Sequence, residues 1–164
     1  MISVVVDDLA FVEADAIVRP STSLLEPTQT SLRRVDELGG EVFRPVLREE
    51  LAIGAAIVTG AGDLPTELVI HAIIRSPVEP VTAESVRRAL MSALHRADAW
   101  ELAHVAIPPI GTGAGHLGLE EAAGAMKHAI AACAGAAWPQ RITVVVETEE
   151  ERVVFERILN RTVE

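Results

Sequence analysis

A glycine-rich segment at residues 107–118 has the residue types and spacing best suited to chemistry. It reads Ile-Pro-Pro-Ile-Gly-Thr-Gly-Ala-Gly-His-Leu-Gly and follows an apolar stretch typical of a β-strand. Glycines allow a sharp turn, or a close approach between the backbone and a ligand. A helix beginning near Leu119 would add free N–H groups and the positive end of its dipole. The segment therefore predicts an anion-binding loop, and a tight turn that binds nothing is the alternative.

Two common phosphate-binding loops do not fit this segment. No Gly-Lys-Ser/Thr follows it, and His116 occupies the third glycine position of the Gly-x-Gly-x-x-Gly fingerprint. His116 is either an exposed loop residue or a group that approaches a phosphate or acts as an acid. Elsewhere, His95, His104 and His128 lack metal-ligand spacing, and Cys133 is interpreted as a small core residue. These patterns predict neither a metal site nor a cofactor, and they identify no catalytic residue.

The elements that must position this loop alternate along the chain. Helical periodicity follows most of the β-branched runs, which is typical of an α/β sandwich with a largely parallel sheet. In such a sheet, ligands bind in loops at the carboxyl ends of the strands. The predicted strands are residues 2–6, 15–18, 56–59, 68–74, 105–108 and 142–147.

Helix boundaries are marked by residues that cap helix ends. Gly39 and Gly40 should end a first short helix, and the apolar spacing at residues 42–51 predicts another. Thr82 is a good N-cap for a long helix, and the last helix opens with a capping box formed by Thr148 and Glu151. An alanine-rich helix is expected at about residues 119–133.

Length and charge limit the classes of function. The 164 residues are predicted to form a single domain, residues 1–164, with a net charge of −10. Such an acidic chain argues against nucleic acid and anionic membranes, whose phosphates favour a basic surface. No apolar run approaches the roughly 20 residues of a membrane span, and the first residues do not look like a signal peptide. We therefore expect a cytoplasmic protein.

Six short motifs occur in order along the chain and resemble those of one family. Residues 107–113 closely resemble the phosphate-loop signature of macro domains, in which Phe-Pro-Ala-Ile-Gly-Thr-Gly is a common form. The other five match the family's Gly-Asp-Ile-Thr, Asp-Ala-Ile-Val, Gly-x-Ala-x-x-Thr, Leu-Pro and Val-Ile-His landmarks at residues 7–10, 15–18, 54–59, 64–65 and 69–71. The chain thus resembles a macro domain, an ADP-ribose-binding α/β module, over nearly its full length.

The sequence departs from the family pattern at two ligand-binding motifs. Family members usually carry Asn-Ala-Ala-Asn where this chain has Arg-Pro-Ser-Thr at residues 19–22, so Thr22 replaces an asparagine that contacts the distal ribose and assists hydrolysis. Residues 28–31, Thr-Gln-Thr-Ser, stand where the family has Gly-Gly-Gly-Val. Arg19 either points to the cleft as a compensating donor or turns outward to solvent. By resemblance, the half of the phosphate-binding site at residues 107–113 is intact. The other half, at residues 28–31, has a different sequence.

The resemblance implies a three-layer α/β/α sandwich with a central mixed, largely parallel sheet. It also implies that Asp8 accepts a hydrogen bond from the adenine amino group, although Asp8 is equally suited to capping a turn. His71 is expected to be a satisfied core residue. The ligand-binding residues implied in this way are Asp8, Leu9, Arg19, Thr22, Thr28, Thr30, Ile110, Gly111, Thr112, Gly113, Ala114, Gly115 and His116.

Three functions fit these observations. The favoured hypothesis is a binding module for ADP-ribose or a related adenosine diphosphate, free or attached to an ADP-ribosylated protein, without efficient hydrolase activity. The second is a hydrolase that acts on ADP-ribosyl or O-acyl-ADP-ribose esters, which the loss of the asparagine at Thr22 disfavours. The third is a domain that has kept the fold, lost the ligand and become an interaction surface. The sequence does not determine the oligomeric state.

Overall fold

A mixed β-sheet forms the centre of the protein. The structure is a computed structural model that describes residues 1–44, 49–113 and 116–160. Within these residues the sheet has six strands in the order β1-β6-β5-β2-β4-β3, and β3 alone runs antiparallel to its neighbour. The strands are β1 (Ile2–Val6), β2 (Ala16–Thr22), β3 (Ala56–Gly60), β4 (Leu68–Arg75), β5 (His104–Ile107) and β6 (Arg141–Val146).

Helices cover both faces of this sheet. One face carries α2 (Ala83–Ala99), α3 (Leu119–Ala132) and α4 (Glu149–Leu159), and the other carries α1 (Arg33–Gly39). Short 3-10 turns at Leu9–Phe11, Thr30–Leu32 and Gly40–Phe43 complete the second layer. The predicted α/β/α sandwich with a mixed, largely parallel sheet is therefore confirmed. None of the helices in the described residues is long and apolar enough to cross a membrane.

The continuous apolar runs of the strands are explained by this double covering. Val18, Ile70 and Val144 belong to the core beneath α2, α3 and α4, whereas Ile17 and Val69 belong to the core beneath α1. Alternate side chains of a strand point to opposite faces, so a strand covered on both sides is apolar at every position.

The predicted helix caps are present. The Thr82 hydroxyl accepts a hydrogen bond from Ser85 N at 2.9 Å, and Thr148 and Glu151 form the reciprocal capping box. Gly40 has a φ of 60°, in the left-handed region that glycine adopts easily, and α1 ends there as expected. Local sequence is sufficient to specify each of these boundaries.

The prediction of a helix at residues 42–51 is wrong for those of its residues that the structure describes. Only a 3-10 turn at Gly40–Phe43 precedes Arg44, and Leu51 lies outside any helix. Arg44 has φ −122° and ψ 60°, a non-helical conformation consistent with its place before Pro45, because the proline ring disfavours helical geometry in the preceding residue. Residues 45–48 lie outside the described residues.

Strand β2 is longer than the sequence predicts and continues through Pro20 to Thr22. It pairs with β5 only at Ala16 and Ile17, and then continues with β4 as its partner. A proline is tolerated where one side of a strand is unpaired. The separation of β2 from β5 opens the sheet at its carboxyl edge, which is where the loops after both strands meet.

Candidate functional site

The candidate site lies at the carboxyl edge of the parallel strands. Because β1, β2, β4, β5 and β6 run in one direction, the loops that follow β2 and β5 emerge at the same edge. The loop after β5 carries the glycine-rich segment, and the loop after β2 carries Thr28 and Thr30. Parallel α/β sheets bind their ligands at such an edge.

The glycine-rich loop is folded against the body of the protein. Gly111 has a φ of 89°, and a Cβ atom there would lie 2.9 Å from a methyl group of Val86, so only glycine fits. Leu117 N donates to Gly111 O at 2.8 Å, and His116 N donates to Gly113 O at 2.9 Å. Ile110 is fully buried. Ala114 and Gly115, both predicted ligand-binding residues, lie outside the described residues.

The loops after β2 and β5 touch each other. A Cβ atom on Gly113 would lie 2.7 Å from Thr28 O, so a glycine allows this contact. The Gln29 side chain donates from Nε2 to Pro109 O at 3.1 Å and to Ser31 Oγ at 3.0 Å. Gln29 therefore bridges the two walls of the cleft, a role that the sequence did not reveal.

A cavity of about 230 Å³ lies between these loops and the ends of β1 and β6. Among the described residues its lining includes three carboxylates and no lysine or arginine. Burial, together with the nearby Glu151 and Asp8, raises the pKa of the Glu147 carboxyl above its ordinary value. Of the predicted residues, Leu9, Thr30, Thr112 and Gly113 line the cavity. The full lining is Asp7, Leu9, Gln29, Thr30, Ser31, Leu32, Pro108, Pro109, Thr112, Gly113, Val145, Glu147 and Glu151.

Asp8 caps the 3-10 turn that follows β1. Its Oδ1 accepts a hydrogen bond from Ala10 N at 2.9 Å, and its Oδ2 forms an ion pair with Arg34 Nη1. The capping role is therefore present in the structure. The carboxylate is still one-third exposed, at 35%, so the adenine contact stays a prediction.

Thr22 and Thr28 have different environments in the loop after β2. Thr22 Oγ1 accepts hydrogen bonds from Leu24 N at 3.2 Å and from Glu26 N at 3.1 Å, which closes the turn after the strand. Thr28 is buried, and its Oγ1 has no hydrogen-bond partner among the described residues. The Thr22 oxygen therefore binds two backbone N–H groups. Threonine also lacks the side-chain amide that asparagine provides at this position in the family pattern.

Arg19 is directed into the interior and not into the cavity beside the glycine-rich loop. Only 2% of it is exposed, which shows that the solvent-facing alternative is wrong. Its Nε donates to Asp36 Oδ1 at 2.5 Å, Nη1 donates to His71 Nδ1 at 3.1 Å, and Nη2 donates to Leu25 O at 3.0 Å. The guanidinium also lies 5.2 Å from the Phe43 ring centre. The Arg19 guanidinium therefore links α1, β4 and the loop after β2 within the protein.

A second, larger cavity lies beneath α1, on the Arg19 side of the loop after β2. Its volume is about 850 Å³, and its lining includes Arg19, Thr28, Asp36 and Phe43. Gln29 and Thr30 line both this cavity and the smaller one. These two residues therefore form part of the wall of each cavity, whereas Thr28 lines only the larger one.

His116 is neither fully exposed nor isolated. Its Nε2 accepts a hydrogen bond from Arg75 Nη1 at 3.2 Å, and burial and the charge of Arg75 lower the pKa of the imidazole. Arg75 was not predicted, although its position as the last residue of an apolar strand marks it as a candidate. No group of three or more His, Cys, Asp or Glu side chains in the described residues is placed to hold a metal ion.

Comparison with known proteins identifies the family. The sequence profile of the macro domain matches residues 37–126. An uncharacterized protein of Aquifex aeolicus is 38% identical over 76% of this chain and 78% of its own length. Another, from Pyrobaculum aerophilum, is 34% identical over 94% of this chain and 88% of its own length.

Solved structures agree with this assignment at the level of the fold. A mutant of the Oceanobacillus iheyensis macrodomain with ADPR superposes with a TM-score of 0.81 and 20% identity, covering 96% of this chain and 90% of that one. The Trypanosoma brucei macrodomain in complex with ADP superposes with a TM-score of 0.82 and 16% identity, covering 96% of this chain and 68% of that one. The profile match, the sequence relatives and the shared fold lead to one conclusion: this chain belongs to the macro domain family.

Proposed function

We propose that this protein binds ADP-ribose, or a related adenosine diphosphate, in the cleft between the loops after β2 and β5. The observation that carries the proposal is the glycine-rich loop, which the fold places at the carboxyl edge next to a cavity. ADP-ribose attached to a protein would present the same chemical group. Family membership and relatives of the same fold with ADPR or ADP bound support this choice of ligand.

The size of the cavity indicates how such a ligand would enter. Sites for drug-sized ligands usually measure about 300–1,000 Å³, and the cavity beside Leu9 is about 230 Å³. This volume lies below the usual range for a ligand of that size. We therefore expect the Gln29–Pro109 bridge to open when ADP-ribose binds.

Efficient hydrolysis is not part of the proposed function. The Thr22 oxygen accepts hydrogen bonds from two backbone N–H groups and has no amide to offer a ribose hydroxyl or a water. Loss of one preorganised polar contact at a reacting group typically lowers a rate by about 10²–10³. We expect Thr22→Asn to increase the hydrolysis of an O-acyl-ADP-ribose ester if this substitution alone accounts for the loss. An unchanged rate in that variant would show that the cleft differs more broadly.

Isothermal titration calorimetry with ADP-ribose, ADP and AMP tests the proposed function directly. We expect ADP-ribose to bind most tightly. The Gly113→Val variant should lose this binding, because its side chain meets Thr28 O and His116 in the cleft. Gly124→Ala is the matched control, since a Cβ atom on this α3 residue meets nothing within 4 Å. Circular dichroism would establish that both variants fold, and equal affinities of Gly113→Val and the wild type would exclude the loop from the site.

A further inference from the structure

Arg75 and His116 form a polar pair at the carboxyl edge, apart from the residues that line the smaller cavity. Arg75 ends β4, where its Cα is paired in register with Thr22 at the end of β2. Its Nη1 lies 3.2 Å from His116 Nε2. A Cβ atom on Gly113 would lie 2.8 Å from His116 Nδ1, so the imidazole packs directly against the glycine-rich loop.

The hydrogen bonding of this pair leaves two N–H donors unused. A guanidinium can only donate, so Nε2 of His116 is the acceptor and the neutral ring carries its proton on Nδ1. Burial and the adjacent Arg75 charge favour this neutral form by lowering the pKa of His116. His116 Nδ1 and Arg75 Nε are both buried, and neither has a hydrogen-bond partner among the described residues. Buried donors of this kind usually have an acceptor, so the pair lacks one.

The charge near the cleft indicates what that acceptor should be. The cavity beside Leu9 is lined by Asp7, Glu147 and Glu151, and Arg34 is already paired with Asp8. A diphosphate would meet repulsion from these carboxylates unless a cation compensates for them. Arg75 brings such a cation to His116, which packs against Gly113 of the glycine-rich loop.

Strand order gives the direction in which the ligand would run. Asp8 follows β1, and the sheet continues through β6, β5 and β2 before it reaches β4 and Arg75. A ligand with its adenine near Asp8 that crosses the loop at Gly113 therefore extends toward Arg75. The first phosphate lies at the glycine-rich loop in this arrangement, and the next group along the ligand meets the Arg75–His116 pair.

We propose that Arg75 and His116 bind the second phosphate of the ligand and so make the site selective for diphosphates over monophosphates. This inference rests on the proposed function for the orientation of the ligand, but the pair itself should also bind inorganic pyrophosphate. Arg75 donates to the phosphate oxygens through its free Nε–H, and His116 does so through Nδ1–H. The neutral imidazole accepts from Arg75 and holds the guanidinium in place.

The test compares affinities of AMP, ADP, ADP-ribose and inorganic pyrophosphate for the wild type and three variants by calorimetry. Arg75→Met should weaken ADP, ADP-ribose and pyrophosphate by about ten- to a hundredfold, as expected for charge-assisted hydrogen bonds, and leave AMP unchanged. Arg75→Lys, which keeps the charge but not the fork, should be intermediate. Arg141→Met is the matched control, because it removes the same charge at the amino end of β6, on the opposite edge of the sheet.

The outcomes separate this inference from the proposed function. Equal affinities of wild type and Arg75→Met for ADP and pyrophosphate would overturn the role of the pair, even if both proteins bind ADP-ribose. Failure of the wild type to bind ADP-ribose would overturn the proposed function, and pyrophosphate would then decide the role of the pair. Nitrogen-15 NMR of the His116 ring adds a direct readout: pyrophosphate should shift the Nδ1 resonance in the wild type and not in Arg75→Met. No shift and no pyrophosphate binding in the wild type would refute the inference.

Discussion

His71 should make the protein less stable in mild acid. It lies in the middle of β4 with no exposed surface. Its Nδ1 accepts from Arg19 Nη1 at 3.1 Å, and its Nε2 therefore carries the proton and donates to Thr59 Oγ1 at 2.8 Å. The Thr59 hydroxyl in turn donates to Gly60 O at 2.8 Å. This chain of hydrogen bonds needs a neutral ring, because a second proton on Nδ1 would face the guanidinium.

The size of the effect follows from the two protonation equilibria of His71. Burial, and then the Arg19 charge, lower its pKa in the folded protein to about 3 from 6.5. The unfolded chain therefore binds more protons below pH 6.5, and the stability that the neutral ring provides is complete above that pH and lost progressively as the pH falls toward 3. Between pH 7.5 and 5.0 this linkage removes about 2 kcal/mol of unfolding free energy.

Urea denaturation at pH 7.5 and 5.0 measures this loss. Because the pKa values of His104 and His116 are also lowered, the informative quantity is the difference between the wild type and His71→Gln. The loss of unfolding free energy over this interval should be smaller in His71→Gln by about 2 kcal/mol. His128→Gln, at an exposed position of α3, is the control for replacing an imidazole by an amide. An equal loss of unfolding free energy in His71→Gln and the wild type would refute the reasoning. So would a titration midpoint near pH 6.5 for the His71 ring, measured by NMR in the folded protein.

Three other substitutions test separate parts of the structure. Gly62→Ala should lower the unfolding free energy in urea denaturation by about 2 kcal/mol or more. The reason is that Gly62 has a φ of 59° and that the new Cβ would lie 2.4 Å from a carbonyl oxygen of α1. A loss no larger than that of Gly124→Ala would contradict this. Thr82→Ala removes the N-cap of α2 and should cost about 1 kcal/mol in urea denaturation, and no change would mean that the cap contributes nothing. Gln29→Ala removes the bridge to Pro109 and should tighten ADP-ribose binding severalfold in calorimetry, whereas weaker binding would show that Gln29 contacts the ligand.

The sequence predicts those features of the fold that depend on neighbouring residues. The cap at Thr82, the stop at Gly40 and the doubly covered strands each follow from a few adjacent positions. The helix expected at residues 42–51 shows where this reasoning fails. Its apolar spacing fits a helix, but the effect of Pro45 on Arg44 outweighs the periodicity.

The candidate site was predictable only in part, because its decisive contacts join distant segments. The glycine-rich loop follows from residues 107–118 alone. By contrast, Gln29 meets Pro109 across 80 positions, and Arg75 meets His116 across 41. The orientation of Arg19 depends on Asp36, which belongs to α1. No local pattern contains the information for such pairs, so residue types identified the loop but not the groups that close over it.

The shared wall between the two cavities has a thermodynamic consequence. Gln29 and Thr30 line both spaces, so a shift of this wall that enlarges the smaller cavity takes volume from the larger one. A compound that fills the space beneath α1 and resists that shift would weaken ADP-ribose binding. By reciprocity, ADP-ribose would weaken the binding of that compound by the same factor. A compound that acts on the proposed ADP-ribose site in this way need not resemble a nucleotide.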